Sequence, residues 1–168
     1  MPRGRSQARV LALQALCVHE AVGEHFAEEL STFLHDHKTH LDLGLPRAPR
    51  PEVLSFARRL VEGTWRNRAR YDQILTETAS DWSIARMPPV DRNILRLGLH
   101  ELLEEPDTPP EVVINEAIEL ARLFAAEDSP GFVNGVLDAA RRRFGVPASA
   151  DATPPPTAKT EETGASSV

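Results

Sequence analysis

The sequence predicts an all-α fold, on three observations. The chain is 41% hydrophobic but only 5% aromatic, and it nearly lacks the alternation of Val, Ile, Thr and Tyr that marks strands. Apolar residues recur at three- and four-residue spacing along most of it. The clearest instance, residues 111–143, holds two well-patterned helices and their connection, and is read as the stretch against which the rest packs. At 168 residues the chain is most simply one domain, residues 1–145, with a tail at 146–168.

Each element follows from its residues. Arg3, Arg5 and Arg9 lie in a start without acids, and Ser6 is placed to cap a helix reaching about Glu20. Its stripe is Ala8, Leu11, Ala12, Ala15, Leu16 and Cys17, and the three guanidiniums are expected to gather at one end of the domain. A lone cysteine cannot form an internal disulfide, so Cys17 reads as a small buried side chain. Phe26, Leu30, Phe33 and Leu34 predict a helix over 26–37, and Gly44, Pro46 and Pro49 predict a loop over 38–50. Pro51 opens a helix over 51–66 carried by Val53, Phe56, Ala57, Leu60 and Val61. Arg58, Arg59, Arg66, Arg68 and Arg70 read as a solvated face.

Tyr71, Ile74, Leu75, Thr78 and Trp82 predict a fourth helix, ending before Met87-Pro88-Pro89. A fifth, over 90–103, packs Ile94, Leu95, Leu97, Gly98 and Leu102, with Asp91 and Arg92 in an exposed first turn. The sixth follows Val113, Ala117, Leu120, Ala121 and Phe124. In the seventh, Ser129 is the expected N-cap, Pro130 the first helical residue, and Gly145 the C-cap after Arg141, Arg142 and Arg143. Gly135 costs about 1 kcal/mol mid-helix relative to Ala. It is expected to mark close helix packing, with Asn134 satisfied by neighbouring backbone; alternatively Asn134 and Phe132 help form a ligand surface. Residues 146–168 turn to Pro, Ala, Thr, Ser and Glu without apolar period and are expected to be disordered.

No phosphate loop, nucleophile elbow, Cys pair or zincin motif is present, so no catalytic residue and no cofactor is expected. His35, His37 and His40 fall at i, i+2 and i+5 rather than the three or four apart that a helical zinc site wants, so no metal is expected either. No apolar run is long enough to span a membrane and no signal peptide precedes the first helix, which predicts a cytoplasmic protein. A formal net charge of −6 argues against a general nucleic-acid coat and leaves local basic patches to meet any anionic partner. Binding to unpaired RNA needs guanidiniums for phosphates and exposed rings for bases. Arg3, Arg5 and Arg9 are candidates for the first, Phe132 and then Phe124 for the second.

The phrase VINEAIELARLFAAEDSPGFVNGVLD, with ARVLALQAL near the start and VDRNILRLGLHEL in the middle, resembles the NusB family of transcription antitermination factors. The resemblance runs from about Arg5 to Phe144. It implies an all-α fold of two small packed helical bundles, in line with the seven predicted helices, and no enzymatic activity. It further implies pairing with the small-subunit ribosomal protein NusE, binding of boxA-type single-stranded RNA, and action within the RNA polymerase antitermination complex on ribosomal RNA operons. By motif, Arg5, Arg9 and Gln14, with Arg3 as a looser match, correspond to an RNA-facing start. Asp128 lies near the RNA surface, flanked by Arg122, Phe124 and Phe132. Asp91 matches an acidic position used against NusE, and Cys17 stands where an aromatic often makes that contact. The competing readings are a targeting module related to the front of ribosomal-RNA methyltransferases, a metal-dependent enzyme using the histidine cluster, and a homodimeric structural protein.

Overall fold

A computed structural model describes residues 4–45, 47–79 and 81–146. Arg3 and the tail from residue 147 lie outside the described residues. Within them the chain forms α1 (Gly4–Val22), α2 (Phe26–His35), α3 (His37–Asp42), α4 (Pro51–Arg66), α5 (Arg68–Thr78), a short 3-10 turn (Ile84–Arg86), α6 (Pro89–Glu104), α7 (Pro110–Phe124) and α8 (Ser129–Arg143), with no strand. The fold is all-α, as the composition required. One bundle joins α1, α2 and α4, a second joins α5 to α8, and α6 touches both through α1 and α4.

The organising element is α6, not the α7–α8 pair. Its middle is buried on every side: Asn93, Ile94, Leu95, Arg96, Leu97, Gly98, Leu99, His100 and Glu101 are all inaccessible. Such a helix carries polar groups inward, so they must find partners there. Arg9 of α1 meets Glu101 in a two-pronged bond, Nε to Oε2 at 2.9 Å and Nη2 to Oε1 at 2.7 Å. Arg96 donates to both oxygens of Asp72, at 2.6 and 2.7 Å, and to Glu20 at 2.5 Å. Arg92 pairs with the same Glu20 and donates to the carbonyls of Ile84 and Met87. Burial alone would raise the Glu20 carboxyl, but the two arginines hold it below its ordinary value.

His100 fits only because residue 63 lacks a side chain: a Cβ there would lie 2.4 Å from the ring. The Tyr71 hydroxyl and His100 Nδ1 lie 2.8 Å apart, a buried hydrogen bond between α5 and α6. Burial holds both His100 and His19 below the ordinary histidine value of 6.5. The unfolded chain therefore takes up protons that the folded state refuses as pH falls through that value, and stability present above it is lost below it. The urea midpoint is expected to fall between about pH 7.5 and about 5.5. Glu101, raised by burial against the pull of Arg9, acts with the opposite sign. The histidine effect is isolated by His100→Asn, whose midpoint should fall less over the same interval; an equal fall in both proteins would contradict this account.

Several expectations need correction. The first helix begins at Gly4, and Ser6 does not cap it: its hydroxyl donates to Glu116 at 2.8 Å. The predicted loop over 38–50 contains α3, which Asp36 caps by accepting from the Thr39 backbone at 2.7 Å. The fourth helix ends at Thr78, so Trp82 lies beyond it and is 53% exposed. The cap of α8 is Asp128, without a side-chain bond, and Ser129 is already helical. Gly145 does end that helix, at φ +62°, with Gly145 N–H reaching Arg142 O and Val146 N–H reaching Arg141 O. Gly135 packs against nothing and Asn134 is exposed. The glycine that admits a neighbour is Gly98, where a Cβ would meet Leu137 at 2.8 Å.

Candidate nucleic-acid and partner interfaces

Helix α1 runs antiparallel to α6, with Arg9 beside Glu101 and Glu20 beside Arg92. This sets two separate ends. At the first, α1 starts against α4 and the turn before α7, where Arg5 donates to Thr108 at 3.3 Å. The segment ahead of α4 brings Arg47 and Arg50, and α4 adds Arg59, around an open cleft of about 690 Å³ floored by Phe56. Arg5 and Arg59 lie 4.9 and 5.0 Å from the Phe56 ring centroid, where the ring face offsets part of the cost of holding cations together.

These four guanidiniums differ in availability. Arg59 is bonded to Glu105 through both carboxylate oxygens, and that bond holds the carboxyl below its ordinary value. Arg50 reaches Glu52 only at 4.0 Å between two highly exposed side chains, a contact worth little in water. Arg47 has no ion-pair partner among the described residues, and Arg5 has the neutral Thr108 hydroxyl, the Phe56 ring and a weaker pull from Glu105. The cleft therefore presents three guanidiniums without a close carboxylate bond, on a protein whose formal charge is −6.

Arg9 lies over the same Phe56 ring, 5.7 Å from its centroid, but is buried and not presented to the cleft. It is 2% exposed and bound to Glu101, with Glu116 a further 3.8 Å away. It gathers with Arg5 at this end as expected, but as an internal ion pair with Glu101 and not as an exposed guanidinium. Gln14 is half-buried farther along α1.

The second end lies about 18 Å along α1 from Arg5, at roughly 1.5 Å per residue. Cys17 is half-buried beside Asn93 and the Pro89 carbonyl, and burial pushes its thiol up to about 11, as a non-reactive side chain requires. Asp91 is 5% exposed rather than open to solvent. Next to it, Trp82, Met87, Pro88, Asp128 and Phe132 enclose an apolar pocket of about 200 Å³. Trp82 and Phe132 meet with centroids 5.5 Å apart and planes tilted 55°. Arg122 is exposed and paired with Glu119, and Phe124 packs partly buried against the core. The structure thus divides the sequence-chosen residues between two ends.

Sequence reasoning missed Arg47, Arg50, Phe56 and Trp82 as site residues. Arg47 and Arg50 sit in a run of prolines without period, and Trp82 fell on an apparent helical stripe. Arg59 was read as one of five solvated charges, yet Arg58, Arg59, Arg68 and Arg70 all carry carboxylate partners. The histidine run is dispersed: His35 bonds the Ser31 carbonyl, His40 turns inward to the Leu34 carbonyl, and no group of three or more His, Cys, Asp or Glu among the described residues is placed to hold a metal. No helix among them is long and apolar enough to cross a membrane.

The NusB family model matches residues 6–142. A transcription antitermination protein NusB from Geotalea daltonii is 44% identical over 138 residues, covering 80% of this chain and 91% of its own. A solved structure of T. maritima NusB superposes with a TM-score of 0.70 at 34% identity, covering 84% of this chain and 92% of that one. A chain from a crystal structure of the antitermination factors NusB and NusE in complex with dsRNA does so with a TM-score of 0.69 at 28% identity, covering 85% and 99%. With the match running from the first turns of α1 to the end of α8, this chain belongs to the NusB family.

Proposed function

We propose that this protein is a transcription antitermination factor of the bacterial cytoplasm that binds boxA-type single-stranded RNA together with NusE and keeps RNA polymerase elongating through ribosomal RNA operons. The observation that carries the reading is the cleft at the start of α1, where Arg5, Arg47 and Arg50 converge without firm carboxylate partners. A relative named as an antitermination protein and a neighbour solved with NusE and RNA support it. RNA enters at this cleft, its phosphates meeting guanidiniums, and runs along α1 past Gln14. NusE docks at the other end, beside Asp91 and Cys17. The protein works by assembling surfaces and carries out no chemical step. Two modest sites on one complex raise each other's effective concentration, so neither need bind tightly alone.

The test is a titration of fluorescent boxA RNA, with and without NusE, across a salt series. Binding should tighten with NusE and weaken with salt. The Arg5→Ala/Arg47→Ala/Arg50→Ala variant should lower the slope of log affinity against log salt by about 2, since each lost contact to a single strand removes about 0.7. An unchanged slope would remove the cleft from the RNA path, and indifference to NusE would remove the shared complex.

A further inference from the structure

One guanidinium of the basic cleft is withheld from it. Arg59 stands 5.0 Å from the Phe56 ring centroid, on the ring that Arg5 also covers at 4.9 Å, so by position it belongs to the cleft. Its Nε and Nη2 donate to the two carboxylate oxygens of Glu105, at 2.9 and 3.1 Å. A planar fork facing two oxygens is also how a guanidinium takes a phosphate, so the carboxylate fills the place that an incoming phosphate needs.

Glu105 is firmly placed. It caps the C-terminus of α6, and its carbonyl accepts from the Thr108 backbone, closing a turn whose other end offers the Thr108 hydroxyl to Arg5. One turn therefore engages two of the cations on the ring. The Glu105 side chain is 13% exposed against 58% for Arg59. The Arg59 bond, with weaker pulls from His100 and Arg5, holds its carboxyl below the ordinary value, so the group is ionised at neutral pH.

The rival account is that the pair only ties α4 to α6. That helix is already anchored by the buried bonds of Arg9 and Arg96, and seated on α4 where His100 meets Gly63. A pair with one partner so exposed adds little to folding, and the same weakness makes it displaceable. A neighbouring opening of about 360 Å³ shares Arg59 with the cleft and is lined by Glu105 and Arg66. Arg66 has no ion pair among the described residues, so a displaced carboxylate has a cation to turn to.

We propose that Glu105 is a built-in competitor for the cleft: it masks Arg59, and a phosphate reaches this fourth guanidinium only by displacing it. The proposal rests on the RNA reading for the identity of the anion, and on the geometry of Arg59 and Glu105 for the mask. A strand already held by Arg5, Arg47 and Arg50 presents its next phosphate at high effective concentration, which favours the exchange.

The test titrates the full chain at one salt concentration with fluorescent boxA RNA and, separately, with inorganic tripolyphosphate. Glu105→Gln should bind each about fivefold more tightly, the worth of an exposed ion pair that need no longer be broken. Glu104→Gln removes the same charge from the adjacent pair with Arg70, and should change either affinity by less than about twofold. Arg59→Ala/Glu105→Gln should bind as Arg59→Ala does, because the gain runs through Arg59. Melting temperatures close to wild type report an intact fold. The proposal fails if Glu105→Gln tightens neither anion, if Glu104→Gln tightens them equally, or if the gain survives Arg59→Ala. Tighter tripolyphosphate with unchanged RNA would uphold the mask and take RNA off the cleft, so the two readings fail separately.

Discussion

Replacing Glu101 with alanine is expected to destabilise the protein by about 3 to 5 kcal/mol, because it strands the Arg9 guanidinium in the core. The pair is inaccessible on both sides, 3% exposed at each side chain, so water cannot take over the lost partner. Glu116 lies 3.8 Å from Arg9 and offers only partial relief. Thermal unfolding should show a fall of roughly 10 °C. The double variant Arg9→Met/Glu101→Leu should recover most of it, since apolar groups of similar size need no partner. This pair of variants also separates structure from binding. If the double variant is stable and binds RNA as wild type does, Arg9 is architectural; if it is stable but binding is lost, Arg9 reaches RNA after all. A cost below about 1 kcal/mol for Glu101→Ala would mean that the guanidinium finds solvent.

The next largest effect is expected at Arg96. Arg96→Met removes a guanidinium that joins α6 to α1 through Glu20 and to α5 through Asp72. The carboxylates left behind are less buried than Glu101, at 21% and 29% exposure, and Glu20 keeps Arg92. The loss should therefore be smaller, about 2 to 3 kcal/mol, below the range for a fully buried orphan. A urea titration should show a lower midpoint with an unchanged slope, as expected when packing is weakened and the folded state stays compact. If the slope falls instead, the two bundles have come apart before unfolding, and the Arg96 network is the clasp between them. A midpoint shift smaller than that of an exposed pair such as Arg58–Glu62 would reduce the network to surface decoration.

The helices were legible wherever one face was apolar. The 51–66 helix matches α4 to the residue, the 90–103 helix falls one residue short of α6 at each end, and the stripe from Val113 to Phe124 lies within α7, because Pro51, Pro89 and Pro110 mark starts that periodicity then extends. Periodicity failed at α3, whose six residues are too few to show a stripe and whose signal was the cap at Asp36. It also misplaced the centre of the fold. A helix buried all round, such as α6, has no contrast between its faces, so the better-striped α7 and α8 stood out instead. The same limit governed the sites. A stripe says which side of a helix is apolar; it cannot say that Arg9 will meet a carboxylate 92 positions away, or that Arg47 and Arg50 will turn toward Arg5. Gly135 and Gly98 look alike in sequence, and only the neighbour across the gap distinguishes them.

The separation between Arg9 and Glu101 also sets a schedule. A ribosome adds about 5 to 20 residues per second, so Glu101 is made about 5 to 18 s after Arg9. During that interval the first helix has neither its ionic partner nor the central helix that covers its apolar stripe. Completing α6 then withdraws Arg9 into its pair with Glu101 while leaving Arg5 outside.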